Sequence, residues 1–166
     1  FYLGLLMLFV GAAFKLSLVP FHLWTPDVYQ GGPLPAVAFL ATLGKVAVAV
    51  FAIRLFSQPQ IGQLPVVTSV IALVAVASIL VGNLLALRQT NLKRLLAYSS
   101  IAHMGYLLVA VLSISAATAI SEVEDSAFAL ESALFYLLVY SLLSLGAFGC
   151  ALLVSSSDDE ASGVGD

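Results

Sequence analysis

A lysine, a proline and a histidine interrupt the first apolar run of the chain, at Lys15, Pro20 and His22. Proline has no N–H group, and the ring of Pro20 crowds the carbonyl of Leu16, so a helix entering from Phe1 is expected to kink or break there. Inside a membrane, broken backbone and ionisable side chains are found where they line a cavity or an ion path. This stretch therefore predicts part of an ion or proton path.

Lys45 lies near the middle of a second apolar run, residues 36–56. A charged lysine at that depth costs several kcal/mol unless it loses its proton, meets water or finds an acidic partner. Its helical face carries mostly small residues, which allow close helix approach and leave room for water. Lys45 and Lys15 are thus candidates for an ion path; the alternative is that each is a buried lysine held by backbone carbonyls.

A polar stripe is predicted on a later helix, where Ser99, His103 and Tyr106 are spaced i, i+4 and i+7 and share one face. Such a stripe can hold a chain of hydrogen-bonded waters, and imidazole titrates near neutral pH. A set of side chains that satisfy one another at a helix contact is an equally good interpretation. His22 would share the face of Lys15 only if the helix between them were unbroken.

The last helix carries a second polar series at four-residue steps, which favours helix packing over a path. Its members are Ser132, Tyr136, Tyr140 and Ser144.

The composition favours lipid as the solvent. The chain is 61% hydrophobic and 9% charged with a mean hydropathy of +1.10, against about 25% charged residues in soluble domains. Much of the acid lies in residues 122–125 and 158–160, predicted as solvated loops. The single cysteine, Cys150, excludes an intrachain disulfide and a Cys-x-x-Cys metal or iron–sulfur motif. Without an initiator methionine or a basic signal start, the sequence is expected to be an internal piece of a longer protein.

The hydrophobic runs predict an all-α, polytopic transmembrane helical bundle of about five spans. The predicted spans are residues 1–29 with a break at Pro20, then 36–56, 66–87, 92–114 and 127–154. Turn residues at 30–35 predict a loop, and Thr90 or Asn91 is expected to cap the fourth span. Residues 1–154 form the predicted membrane domain, and residues 155–166 a polar loop or tail.

The basic residues predict an orientation. Arg88, Lys93 and Arg94 cluster around the connection between the third and fourth spans, which the positive-inside rule places in the cytoplasm. Asp27 then lies on the same side, and Arg54 at the opposite end is an exception.

Residues 14–31, with a Pro-Phe-His-x-Trp core at 20–24, resemble the signature of the antiporter-like subunit N of respiratory complex I, which is called subunit 2 in mitochondria and has a counterpart in the plastid enzyme. The resemblance continues through residues 38–40, Lys45 and residues 91–106. The sister antiporter-like subunits and the cation/proton antiporters share the core, but the residues flanking it, 15–19 and 25–29, favour subunit N.

The resemblance implies roles for individual residues. Lys15 matches a lysine on the discontinuous seventh helix of the family, which pairs with a glutamate on the fifth helix. Lys45 matches the central lysine of the eighth helix, and His103 matches the polar path beyond it. His22, Ser99 and Tyr106 are further candidates for the path. The partner glutamate and the ionisable residue of the twelfth helix are not in this sequence.

The resemblance also implies partners and cofactors. A proton-translocating subunit of this kind is a non-redox part of a NADH, or related donor, quinone oxidoreductase, embedded in lipid beside the other membrane subunits of complex I. Flavin, iron–sulfur clusters and quinone belong to other subunits; this chain is expected to bind no cofactor, metal or nucleic acid. A prokaryotic plasma membrane is the expected location.

Three other functions are alternatives to this one. The first is a subunit of a related multi-subunit Na+(K+)/H+ antiporter, which differs in its dependence on the cation. The second is a structural membrane scaffold, which predicts that both lysines can be replaced by leucine without loss. The third is a haem site with two histidine ligands, which nothing beyond the two histidines favours.

Overall fold

The computed structural model of the chain describes residues 2–62, 64–120 and 123–162, and every secondary-structure element within these ranges is a helix. The first two predicted spans are interrupted, so each of them corresponds to two helices. The helices are α1 (Tyr2–Leu16), α2 (Trp24–Gly31), α3 (Leu34–Ala41), α4 (Leu43–Phe56), α5 (Pro59–Gly62), α6 (Pro65–Ala86), α7 (Leu92–Ile120) and α8 (Val123–Ser162).

The first span is broken between Ser17 and Leu23, a segment that contains Pro20. The break starts before the proline because α1 ends in a Schellman motif. Ser17 adopts a φ of 63°, its N–H donates to the carbonyl of Phe14, and the N–H of Leu18 donates to the carbonyl of Ala13. The predicted break in this span is confirmed.

Two hydrogen bonds bridge the broken segment. The N–H of Val19 donates to the Ser78 hydroxyl of α6 over 3.0 Å. The indole N–H of Trp24 donates to the carbonyl of Phe14 over 3.2 Å, and the two rings stack with centroids 5.4 Å apart. Protein groups therefore pair part of the loose backbone, as a membrane interior demands. The Val19–Pro20 peptide bond is cis.

The second predicted span, residues 36–56, is confirmed as Leu34–Phe56, but it contains an interruption that the sequence does not predict. α3 ends at Ala41 and α4 begins at Leu43, with φ −108° and ψ −84° at Thr42 between them. The Thr42 hydroxyl donates to the carbonyl of Ala38 over 2.7 Å. The predicted loop is shorter than expected, because residues 30 and 31 end α2 and residues 34 and 35 begin α3.

The remaining spans follow the prediction closely. Within the described parts of the chain, four stretches are long and apolar enough to cross a membrane, and α1 is a shorter apolar helix. The four are Leu34–Phe56, Pro65–Ala86, Leu92–Thr118 and Asp125–Val154. The side chain of Asn91 caps α7 by accepting from the amides of Lys93 and Arg94 over 3.0 and 3.3 Å. The chain is an integral membrane helical bundle.

The backbone of the acidic segments 123–125 and 158–160 is helical, because α8 extends from Val123 to Ser162. This corrects the expectation of loops there; residues 122 and 163–166 lie outside the described residues. The assignment of 155–166 as a separate polar segment stays a prediction.

α7 is the centre of the bundle and contacts α2, α4, α5, α6 and α8. Its tightest contact is with α6, where Gly82 and Gly105 let the two backbones approach closely. The two broken spans exchange partners along their length: α1 packs on α4, whereas α2 packs on α7 and α3 on α8. The breaks thus bring different helices together at each end of the bundle.

Candidate functional site

Lys45 lies in the first turn of α4 and is 1% exposed. Its ammonium donates one hydrogen bond to a described side chain, the Ser100 hydroxyl of α7, over 2.6 Å. No ion pair to Lys45 is present among the described residues. An ammonium group taken out of water with a single neutral partner is costly, which is typical of functional rather than structural lysines in membranes.

Ser100 extends the contact to a third helix. Its hydroxyl lies 2.8 Å from the phenol oxygen of Tyr140 in α8. The Tyr140 hydroxyl in turn donates to the backbone carbonyl of Ala41 over 3.0 Å. All four residues are at most 5% exposed. Four helices, α3, α4, α7 and α8, thus meet in one buried cluster, which we call the Lys45 cluster: Ala41, Lys45, Ser100 and Tyr140.

The interruption at Thr42 makes the Ala41 carbonyl available to this cluster. In a continuous helix that carbonyl would accept the amide of Lys45, four residues on. Here the Lys45 amide donates to Thr42 instead, over 3.0 Å. The free carbonyl would be an unpaired polar group in the membrane interior if the Tyr140 hydroxyl did not donate a hydrogen bond to it.

Lys15 approaches the same region from the end of α1. It is half-buried, and a methyl group placed on Gly44 would lie 3.8 Å from its ammonium nitrogen. Lys15 at the end of α1 and Lys45 at the start of α4 therefore lie beside the breaks of the first two spans and near each other, since Gly44 immediately precedes Lys45. Among the described residues Lys15 makes no ion pair.

His103 belongs to a neighbouring aromatic group on the same face of α7. Its Nδ1 lies 2.7 Å from the phenol oxygen of Tyr136. Its ring centroid is 6.0 Å from that of Tyr106, 6.2 Å from that of Tyr136 and 5.4 Å from that of Tyr140. The Tyr106 hydroxyl accepts a hydrogen bond from the Asn83 side chain of α6 over 3.1 Å. His103 is thus surrounded by phenols.

A cleft of about 150 Å³ joins the Lys45 cluster to His103. Half of its lining residues carry a hydroxyl group or an imidazole and the other half are apolar, so the cleft has both the volume and the polar groups to hold water. The polar lining residues are Ser99, Ser100, His103, Tyr140 and Ser144. Ser99 therefore lies on the cleft wall, whereas its neighbour Ser100 contacts Lys45.

His22 takes part in neither hydrogen-bonded group. It is 8% exposed, and its Nδ1 has no hydrogen-bond partner among the described residues. The same holds for polar atoms of Ser17, Thr25 and Tyr29, which lie along the break and α2. Buried polar atoms without protein partners mark positions for ordered water.

The sequence does not predict three residues of the site: Ser100, Tyr136 and Tyr140. The polar stripe selects Ser99 rather than Ser100, and the four-residue spacing of Tyr136 and Tyr140 indicates helix packing. A usable signal is present for the tyrosines, because a phenol buried in an apolar helix needs a hydrogen-bond partner. Among the described residues, no group of three or more His, Cys, Asp or Glu is placed to hold a metal ion.

The predicted cytoplasmic charges meet at one end of the bundle. Arg94 donates to the carboxylate of Asp27 and to the side chain of Gln30, each over 2.8 Å. Lys93 reaches the carbonyl of Gly32 over 3.4 Å. The beginning of α7 is thereby attached to α2, and the predicted grouping of Asp27 with the basic residues agrees with these contacts.

Comparison with known proteins gives two findings. The profile of the family described as NADH:quinone oxidoreductase/Mrp antiporter, transmembrane, matches residues 1–163. A chain in the structure of respiratory complex I from Thermus thermophilus with bound aureothin is similar, with 42% identity and a TM-score of 0.65. The similarity covers 84% of this chain and 27% of that chain, so this chain spans about a quarter of its length.

Proposed function

Because this chain belongs to the family of membrane domains shared by NADH:quinone oxidoreductases and Mrp antiporters, we propose that it translocates protons through Lys45. The observation that carries the proposal is the burial of the Lys45 ammonium, 1% exposed, with its only hydrogen bond to a described side chain made to Ser100. A lysine in that position can hold or release a proton, and hydroxyl groups and a polar cleft lie beside it.

The two lysines act together in this proposal. Charges in a low-dielectric interior interact strongly over several ångströms, because little water screens them. The ammonium of Lys15 lies against Gly44, beside Lys45, so a shift of Lys15 toward or away from α4 changes the cost of keeping Lys45 protonated. The break from Ser17 to Leu23 supplies the hinge for such a shift. An acidic partner of Lys15 outside this sequence would drive it.

We assign the proton a course from Lys45 toward His103. The cleft between them is lined by Ser99, and the Nδ1 of His103 contacts Tyr136. Tyr106 extends the polar series to Asn83 of α6. His22 stands apart from this series, and its unpaired Nδ1 suits an ordered water near the break.

The full-length protein is proposed to be the antiporter-like subunit N of a donor:quinone oxidoreductase. The motif at residues 14–31 supports that subunit, and the similarity to a bacterial complex I chain supports such a complex in a prokaryotic plasma membrane. The subunit has no redox role of its own: quinone, flavin and iron–sulfur clusters belong to other subunits. Its exposed apolar side chains contact lipid and the neighbouring membrane subunits.

The decisive test replaces Lys45 in the full-length protein and measures proton uptake and quinone reduction in inverted membrane vesicles. Lys45→Ala should abolish pumping, or stop both activities together if coupling is obligatory, in a complex that is fully assembled. Arg54→Ala is the matched control, because Arg54 is an exposed basic residue in the last turn of the same helix. Normal pumping by an assembled Lys45→Ala complex would contradict the proposal and favour a scaffold.

Measurements in the same vesicles distinguish proton pumping from transport that depends on another cation. Pumping that requires sodium or potassium, and that fails when these ions are replaced by choline, would favour the antiporter function. Proton uptake that is independent of both ions supports the proposal.

A further inference from the structure

The hydrogen bonds of the Lys45 cluster all run in one direction. The Ala41 carbonyl has no hydrogen, so Tyr140 donates its single phenol proton to it. In the contact between Ser100 and Tyr140, Ser100 is therefore the donor. The Lys45 ammonium has donors only, so it donates to Ser100. The chain of donors begins at Lys45 and ends at the Ala41 carbonyl.

This end point cannot pass a proton on. An amide carbonyl accepts a hydrogen bond but is too weak a base to take a proton at functional pH. A proton leaving Lys45 could displace the hydroxyl proton of Ser100 and then that of Tyr140, and the last proton would have no base to receive it. In the arrangement seen here the path from Lys45 is closed at Tyr140.

Another acceptor is within reach of the same side chain. The ring of Tyr140 packs against His103 with centroids 5.4 Å apart, and Tyr140 lines the cleft that also contains Ser99 and Ser144. The cleft has room for water that can accept from the phenol hydroxyl. Rotation of the hydroxyl about its C–O bond, with a small movement of the ring, changes its acceptor from the Ala41 carbonyl to this water.

We propose that the Tyr140 hydroxyl is a two-position switch that closes the path when it donates to Ala41 and opens it when it donates into the cleft. In the open position Lys45 gives a proton to Ser100, Ser100 gives its own to Tyr140, and Tyr140 gives its own to a cleft water and then His103. Lys45 becomes neutral, both hydroxyls are restored, and the cleft gains one proton. The inference rests on the proposed role of Lys45.

The Ala41 carbonyl makes the closed position stable, and the break at Thr42 makes the carbonyl available. Tyr140 leaves a polar backbone group unpaired in the bundle interior whenever it turns away. The closed state is therefore the resting state, which prevents protons from leaking between Lys45 and the cleft. Opening requires α3 and α8 to separate slightly or a water to replace the phenol at Ala41.

The first test is Tyr140→Phe in the full-length protein, with pumping measured in inverted vesicles. Removal of the hydroxyl should slow proton uptake by about a hundredfold, as expected for the loss of a positioned proton-transfer group. Ser141→Ala is the control, because the described hydrogen bond of its hydroxyl goes to the carbonyl of Leu137 in its own helix, over 2.7 Å. Pumping at the parent rate by Tyr140→Phe would overturn the switch.

The second test keeps the shape of the side chain and changes its acidity. 3,5-Difluorotyrosine, incorporated at position 140, has a more acidic phenol than tyrosine. The pH dependence of proton uptake should therefore shift to lower pH. The same amino acid at Tyr98, whose phenol lies near Arg94, is the control. An unchanged pH dependence at Tyr140 would show that the hydroxyl is structural, even if Tyr140→Phe fails to assemble.

The Lys45→Ala result separates the two proposals. If Lys45→Ala stops pumping while both Tyr140 variants pump normally, the path uses Lys45 but not the switch. If Lys45→Ala pumps normally, the proposed function fails and the switch fails with it.

Discussion

The ammonium of Lys45 and the hydroxyl of Ser100 are separated by 2.6 Å, and this hydrogen bond joins α4 to α7 in the interior of the bundle. Ser100 is 5% exposed, so water does not replace it easily. The ability of Lys45 to hold or release a proton therefore depends on a residue 55 positions later in the chain.

Ser100→Ala should therefore impair pumping more than Ser99→Ala. Loss of the Ser100 hydroxyl leaves the Lys45 ammonium without a described partner, and an unsatisfied buried donor costs about 1–3 kcal/mol, more when it is charged. Ser99 lines the cleft, and the described hydrogen bond of the Lys45 ammonium goes to Ser100 rather than to Ser99. Proton uptake in inverted vesicles compares the two variants; equal losses, or a larger loss for Ser99→Ala, would contradict the assigned contact.

His103 and Tyr136 should behave as one unit. Their hydrogen bond of 2.7 Å joins α7 to α8, so His103→Gln and Tyr136→Phe each remove the same contact. Residues in one hydrogen-bonded pair show coupling energies of about 0.5–3 kcal/mol in double-mutant cycles. The rate of proton uptake, measured for both single variants and the double variant, gives the coupling. Simply additive effects would show that the contact has no part in transport.

Ser78→Ala should destabilise the fold. Ser78 is fully buried, and its hydroxyl accepts the only described hydrogen bond of the Val19 amide within the broken segment. An amide left unpaired costs about 1–3 kcal/mol when it is fully buried, and less at Val19, which is partly buried. Thermal unfolding of the purified full-length protein in detergent tests this, with Ser69→Ala as the control because Ser69 is exposed on the same helix. Equal melting temperatures for the two variants would argue against the bridge.

Gly82→Ala should separate α6 from α7. A methyl group there would lie 2.6 Å from the amide nitrogen of Ala102 and 2.9 Å from its Cβ, so the backbones must move apart. Overpacking of this kind costs about 1–3 kcal/mol, and the better helix propensity of alanine offsets about 1 kcal/mol of it.

Gly146→Ala is the matched control for that variant, since a methyl group at Gly146 would meet nothing within 4 Å beyond its own turn of helix. Melting in detergent should show a loss for Gly82→Ala and none for Gly146→Ala. A Gly82→Ala protein as stable as its parent would mean that the helices are packed less closely than described.

Much of the fold could be predicted from the sequence because its signals are local. Hydropathy locates the spans, Pro20 marks the first break, and the side chain of Asn91 caps α7 as expected. The burial of Lys45 follows from its place in the middle of an apolar run. The length of α8 beyond residue 154 is not predicted, since its acidic end resembles a loop in composition.

The unpredicted parts depend on contacts between distant residues. The break at Thr42 has no proline to mark it, and it is held by Tyr140, 99 positions away from Ala41. The choice between Ser99 and Ser100 depends on which side of α7 faces α4, and a helix packed against several neighbours has no single polar face to reveal this. Local periodicity identifies the helix but does not distinguish Ser100, which contacts Lys45, from Ser99 on the cleft wall.

The exchange of packing partners at the breaks has a mechanical consequence. α1 packs on α4 on one side of the breaks, whereas α2 packs on α7 and α3 on α8 on the other side, and α4 also contacts α7 and α8. Because neither of the first two spans is a continuous helix, a movement of α1 need not be passed to α2 through the backbone, nor a movement of α4 to α3.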